Sequence, residues 1–175
     1  ADVANSGNDD NGNGLDDAFD SNCAITTEET STATDHAEED NTNGSVDLGS
    51  TDLELVNEDE NQTVGVYFPS IDIAQGATIS SSYIQFQTDE AETGAITITI
   101  RGELSTNAST FTTTTDDVSD RLTPGTTASE SWSPADWNTV GENGTAQRTV
   151  DISSIIEEIV GQVGWSSGNA IVIIF

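Results

Sequence analysis

The chain of 175 residues contains no lysine and no methionine, and it holds only three arginines, one histidine and one cysteine. So few cations cannot neutralise nucleic-acid phosphates or an anionic membrane surface. A single cysteine, Cys23, excludes an intramolecular disulfide, and one cysteine with one histidine cannot build a zinc site. The longest apolar run, residues 170–175, is far too short to span a bilayer. Nucleic acid, a membrane span and zinc are therefore excluded.

Carboxylates dominate the charge of the chain. There are 32 acidic residues, and the formal net charge is −29. Self-repulsion at that level opposes a compact state unless cations bind or screen the carboxylates. The composition therefore predicts divalent cations or a salty medium as companions, and the alternative is a merely soluble acidic surface. The polar composition and the first residue, which is not methionine, are typical of a processed protein that is secreted or displayed at the cell surface.

Residues 8–20, NDDNGNGLDDAFD, collect five aspartates and three asparagines around two glycines. Counted from Asp9, oxygen ligands fall at the positions that a calcium loop uses, and a glycine at the sixth position permits the sharp turn. Ca²⁺ takes six to eight oxygens, which this loop can supply. The alternative is a disordered acidic tail. The predicted ligands are Asp9, Asn11, Asn13, Leu15 through its carbonyl, Asp17 and Asp20.

Residues 9–23 resemble the thrombospondin type 3 and dockerin-like calcium repeats of secreted proteins. Those repeats read D-x-D-x-D-G-x-x-D-x-x-D followed by Asn-Cys, and this loop likewise runs into Asn22 and Cys23. The resemblance implies a structural or spacer role rather than a signalling switch. In the repeats the equivalent cysteine pairs with another repeat, so Cys23 is either a free thiol or part of an intermolecular bridge.

From residue 46 the hydrophobic pattern changes to period two. Alternating apolar residues predict strands at 53–55, 64–68, 84–86 and 96–100, with turn signals between them. Short strands at roughly ten-residue spacing predict an all-β fold, an antiparallel β-sandwich. The Thr- and Ser-rich residues 105–131 are typical of a long surface loop, with room for one short strand at Phe111.

Three parts of the chain follow from this pattern. Residues 1–24 form an acidic calcium-binding segment, residues 25–45 form a polar linker or an edge strand, and residues 46–175 form the sandwich domain.

Two features end the chain. Apolar residues at i, i+3 and i+4 spacing predict a short helix over residues 152–163 that closes one end of the sandwich. Asp151 is its candidate N-cap, Gly161 or Gly164 ends it, and Glu157 and Glu158 lie on its solvent face. The run Ile171–Phe175 predicts a strand buried on both faces.

Residues 46–175 resemble secreted β-sandwich modules of large bacterial extracellular proteins. Some of these are carbohydrate-binding modules, and one group is named for a D-N-R-L-R-E motif, which this chain lacks. The residues that carry the resemblance are IAQGATISSSYIQF at 73–86, TIRGE at 99–103 and SWSPADW at 131–137. The resemblance implies a jelly-roll-like fold and says little about the ligand.

Two further groups of residues are candidates for binding. Carboxylates near the first strands predict a second calcium site, and the alternative is a solvated, salt-screened face. Trp132 and Trp137 are candidates for stacking on sugar rings, and the alternative is that they pack the edge of the sandwich. The candidate ligands of the second metal are Glu39, Asp52, Glu54 and Asp151.

No pattern indicates catalysis. GWSSG at 164–168 matches a nucleophile elbow, but a helix precedes it and a strand follows, the reverse of the required order. The chain is therefore predicted to be a non-catalytic, calcium-stabilised structural or adhesive module outside the cell. Its C-terminal strand could join copies of itself or other surface proteins in a filament by strand addition. The alternative is a carbohydrate-binding module of a larger secreted protein, with polysaccharide as the partner.

Overall fold

The computed structural model describes residues 34–50, 53–56 and 61–175. The predicted calcium loop, Cys23 and Asp52 lie outside these residues. The regular structure of the described part is mostly sheet, in keeping with the predicted all-β class: six strands, one α-helix and the short 3₁₀ helices Ser119–Leu122 and Thr145–Gln147. The elements are β1 (His36–Asp40), β2 (Val46–Asp47), β3 (Gln62–Ile71), β4 (Ile98–Gly102), β5 (Glu130–Trp132), α1 (Ser153–Val160) and β6 (Asn169–Ile174).

The six strands form one antiparallel sheet in the order β2-β1-β3-β6-β4-β5. β6 lies at its centre and pairs with β3 from Gly65↔Ile174 to Ile71↔Asn169. On its other side β6 pairs with β4 and with the chain that follows β4, where Ala108 N donates to Ala170 O. Ala170 to Phe175 are all buried, so the prediction of a C-terminal strand buried on both faces is confirmed.

The start of the sheet differs from the predicted division of the chain. β1 lies inside the predicted linker 25–45 and pairs along its whole length with β3, while β2 forms the edge. The sequence HAEED shows little apolar alternation, yet its three central residues are buried. Within the described residues the sheet begins at His36, inside the segment predicted as a linker or an edge strand and ten residues before the predicted start of the domain.

One face of the sheet, which we call the helix face, packs against α1. Alternate residues of the central strands point to this face, because successive side chains on a strand point to opposite sides. The helix crosses above β4 instead of closing an end of a sandwich. The buried contributors to this core include Val64, Val66, Ile98, Ile100, Ile171 and Ile173 from the sheet and Ile155, Ile156 and Ile159 from α1.

The other face is covered by the segment that the sequence indicated to be a surface loop. Phe111 is 2% exposed, and with Ala108 and Val118 it packs against Ala37, Val172 and Ile174. Residues 105–129 form a loop without a strand at Phe111, and most of their side chains are at least partly exposed, as expected for a surface segment. The loop also covers the sheet, because the second face of an apolar central strand requires a cover. We call this face the loop face.

An irregular ribbon of chain, which includes the 3₁₀ helix Thr145–Gln147, completes the helix face. Residues 82–94 run antiparallel to 137–152 through backbone bonds such as Phe86 N to Gln147 O (2.9 Å) and Ile152 N to Ser82 O (2.8 Å). In the described residues this ribbon contains isolated bridges and no continuous strand. Residues 53–55 and 84–86, predicted as strands, lie outside the regular sheet.

The helix is shorter than the predicted span. It ends at Val160, and Gly161 follows as its C-cap. Val163, predicted on the apolar face, is 95% exposed. Glu157 and Glu158 accept backbone hydrogen bonds instead of facing only solvent, with Glu157 Oε1 2.8 Å from Ile79 N and Glu158 Oε1 2.8 Å from Thr127 N. The helix thereby fastens two loops to the core. No described helix has the length and apolar character that a membrane crossing requires.

Two glycines allow the covering layers to approach the sheet. A Cβ on Gly102 would lie 2.7 Å from Ile159 Cδ1 on the helix face, and a Cβ on Gly65 would lie 2.7 Å from Phe111 Cε1 on the loop face. Each glycine therefore leaves the space that one large side chain fills.

We expect Gly65→Ala and Gly102→Ala each to destabilise the fold by about 1–3 kcal/mol, because overpacking forces side chains and backbone apart. Chemical denaturation of each variant measures the change. Gly144→Ala is the matched control, since a Cβ there would meet its nearest atom at an ordinary 3.6 Å. A Gly65→Ala protein as stable as the parent would contradict the close packing of the loop face.

Candidate binding cleft

An open cleft of about 1250 Å³ lies beside the helix-face core. Its first wall is formed by residues 53–56 and 61–62, and its second wall by residues 86–97 and 134–137. Partly buried apolar side chains from both walls extend the core to its floor. They are Leu53, Leu55, Val56, Phe86, Ile96 and Trp137.

Trp137 is held in place in the second wall. Its backbone N and O exchange 2.8 Å hydrogen bonds with Glu92, and its indole Nε1 donates to Ala146 O at 3.0 Å. Its ring lies 6.1 Å from that of Phe86. These contacts fix the ring before any ligand arrives, which lowers the entropic cost of binding.

The two tryptophans that the sequence singled out have different positions. Trp132 is 3% exposed, and its ring stacks on Phe86 at 5.9 Å and meets Phe175 at 6.5 Å. Trp132 therefore packs the core, as the alternative interpretation expected, and offers no free face for a sugar. Trp137 is half-buried and lines the cleft. Phe86 is the cleft aromatic that the sequence analysis did not select for binding.

Hydrogen bonds close the second wall at its rim. Asp136 Oδ1 accepts from Gly94 N at 3.1 Å, and the hydroxyls of Thr97 and Ser133 lie 3.0 Å apart. Exposed carboxylates of Asp89 and Glu90 lie on the same wall. The cleft thus combines aromatic faces with oxygen acceptors, which suits a ligand that has both apolar faces and hydroxyl or amino donors.

All three arginines are engaged away from this cleft. Arg121 bridges Glu103 at 3.0 Å and Asp117 at 3.1 Å, and its guanidinium lies 4.4 Å from the centre of the Phe111 ring. Burial raises the pKa of Glu103, and the charge of Arg121 opposes that rise. Arg101 donates to Thr126 O, and Arg148 lies over Tyr83. No arginine lines the cleft.

The structure does not bring together the described candidates for the second metal. Glu39 lies on the loop face, where its Oε2 accepts from Val118 N at 2.8 Å and from Ser119 N at 3.0 Å. The neighbouring Glu38 points to the helix face and accepts from Glu54 N at 2.9 Å. Among the described residues no group of three carboxylate, histidine or cysteine side chains is placed to hold a metal ion.

Asp151, the third described candidate, lies just before α1. Its Oδ1 accepts from Ser153 N at 2.9 Å and from Ser82 N at 3.1 Å, and these backbone bonds lower the pKa of Asp151. The same carboxylate therefore joins the first helical residue to one end of the ribbon. The N-cap itself is Ile152, one residue after the predicted position.

The C-terminal strand is not an open edge. β6 is paired on both sides within its own chain, and the edges of the described sheet are β2 and β5, of two and three residues. Short edge strands are poor templates for pairing with another chain. Strand addition through Ile171–Phe175 therefore lacks the free backbone groups that it needs.

Comparisons with family models, with curated proteins and with solved structures found no significant match to this chain.

Replacement of Glu39 by alanine tests its role on the loop face. Glu39 is 2% exposed, so its loss leaves two backbone N–H groups of the covering segment without their acceptor. We expect the free energy of unfolding to fall by about 3 kcal/mol, because the variant loses both hydrogen bonds and leaves two buried donors unsatisfied. Guanidinium unfolding measures it, with the exposed Glu90→Ala as control. Equal stability of Glu39→Ala and the parent would refute the role.

Proposed function

We propose that the chain is a non-catalytic, extracellular recognition module that binds carbohydrate in the cleft. The observation that carries this proposal is the fixed, half-buried Trp137 beside Phe86 in an open cleft lined with oxygen acceptors. Pyranose rings present apolar faces to aromatic side chains and hydroxyl donors to carboxylates and amides. Such a module serves adhesion to a polysaccharide surface, which keeps the adhesive role predicted from the sequence and gives it a binding surface.

The fold that we propose for the module is a jelly-roll-like sandwich with one irregular layer. The six-stranded sheet is the regular layer, and the ribbon of residues 82–94 and 137–152 takes the place of the second sheet. Isolated bridges and the inward-facing Ile84 and Phe86 support this assignment.

The absence of catalysis is part of the proposal. Perturbed carboxylates mark catalytic sites, because a general acid requires a raised pKa. Burial raises the pKa of Glu103, but this carboxylate is bonded to Arg121 and does not line the cleft. A recognition role requires no such group.

Calcium at residues 9–20 remains our proposal for the acidic N-terminal segment. The spacing of Asp9, Asn11, Asn13, Asp17 and Asp20 around Gly14 supports it. The ion would neutralise part of the repulsion among these carboxylates and stabilise the module for use outside the cell.

We expect Trp137→Ala to weaken retention on the polysaccharide that the parent protein binds by at least about tenfold, which corresponds to about 1.4 kcal/mol of binding free energy. Affinity electrophoresis against a panel of neutral, amino-substituted and acidic polysaccharides identifies the ligand and then measures the change.

Tyr83→Ala is the matched control, because Tyr83 is a half-exposed aromatic residue stacked on Arg148 outside the cleft. Circular dichroism checks that each variant is folded. If Tyr83→Ala lost retention while folded Trp137→Ala kept it, the cleft would not be the binding surface.

Calcium removal tests the N-terminal site. A chelator should lower the melting temperature of the parent protein, since a ligand of the native state stabilises it by mass action. The variant Asp9→Ala with Asp17→Ala should lose most of this shift, and Asp89→Ala with Glu90→Ala, which removes equal charge from the cleft, should keep it. A melting temperature of the parent protein that does not change when the chelator is added would exclude the site.

A further inference from the structure

We infer that the carbohydrate which fits the cleft is an amino-substituted one, a cationic glycan with free amino groups, in preference to neutral or acidic chains. This inference rests on the proposed function and adds the class of sugar. Its basis is the distribution of charge around the fixed aromatic residues.

The second wall supplies negative charge to the same cleft that the aromatic rings line. In the second wall, three exposed carboxylates follow Phe86 in the sequence, and Asp136 directly precedes Trp137. The three are Asp89, Glu90 and Glu92. None of these carboxylates is paired with an arginine, because the arginines contact Thr126, Glu103, Asp117 and Tyr83. A positively charged ligand group would therefore meet unneutralised carboxylates at this wall.

Aromatic rings favour the same ligand. A cation near the face of a tryptophan or phenylalanine is attracted by the ring quadrupole. A sugar that stacks on Trp137 would place its amino substituent in a cleft that is also lined by Asp136 and Glu92. One residue of such a glycan could thus satisfy the aromatic ring and a carboxylate together.

The net charge of the whole molecule also favours a cationic ligand. With a formal net charge of −29, the field around the protein repels uronic and sulfated sugars and attracts cationic chains. This field alone would attract any polycation, so the experiment must separate the cleft from the general charge.

Isothermal titration at about pH 5.5 compares four probes of matched length: a glucosamine hexamer, an N-acetylglucosamine hexamer, a galacturonate hexamer and a lysine hexapeptide. At this pH amines are charged and ordinary carboxyl groups are ionised. Each titration is repeated at about 0.05 M and about 0.5 M salt, because screening weakens exposed charge pairs.

We expect the glucosamine hexamer to bind about tenfold more tightly than its N-acetylated form at low salt, and this ratio to fall towards one at high salt. Asp89→Asn with Glu90→Gln should remove most of the preference. Asp120→Asn with Glu142→Gln removes the same formal charge outside the cleft and should leave the preference in place.

Three results would overturn the inference in distinguishable ways. Equal affinity for the amino and N-acetylated hexamers would remove the cationic class and leave the proposed carbohydrate function standing. Binding of the lysine hexapeptide at least as tight as that of the glucosamine hexamer would replace the glycan with a basic peptide. Failure of every oligosaccharide to bind, while the protein is folded, would remove the proposed function itself.

Discussion

The fold depends on the burial of β6 on both faces. Its residues from Ala170 to Ile174 are apolar and buried, so both faces at the centre of the sheet must be shielded from solvent. Burial of each such side chain contributes about 1.5–3 kcal/mol, which makes two covering layers necessary. Gly102 makes room for α1 on the helix face, and Gly65 makes room for Phe111 on the loop face. The cleft lies where the helix face is covered by irregular segments and not by α1.

The strong patterns in the sequence correctly predicted the regular elements at the centre. Alternation identified β3 and β4, the apolar run identified β6, and the i, i+3, i+4 spacing identified the helix. Each of these signals records how a segment faces the core. Within residues 25–45 a linker and an edge strand both remained open, because HAEED is buried largely through the hydrogen bonds of Glu38 and Glu39, with Ala37 as its one core side chain. The loop-face cover was not predicted, because Phe111 and Val118 stand far apart among threonines.

The residues of the candidate site were likewise predicted only in part. The segment SWSPADW was identified as a source of binding aromatics, but its sequence pattern does not indicate which tryptophan is buried. The fold shows that the Trp132 ring stacks on Phe86 while Trp137 lines the cleft. Asp151 was proposed both as a cap and as a metal ligand, and the structure instead shows it just before the N-cap Ile152, bonded to Ser153 N and Ser82 N. Carboxylates are so frequent in this chain that spacing alone could not distinguish structural acceptors, such as Glu39, from those that remain at the cleft for a ligand.

The central claim is that the wall containing Trp137 is the recognition surface, and nuclear magnetic resonance of the indole groups tests it most directly. The three tryptophans give three Nε1–H signals, of which Trp132 and Trp165 belong to buried side chains. During addition of a glucosamine hexamer the account requires the Trp137 signal to shift progressively and to saturate, with smaller changes at the other two. An unchanged Trp137 signal at saturating ligand, with shifts confined to the Tyr83 and Arg148 surface, would contradict it.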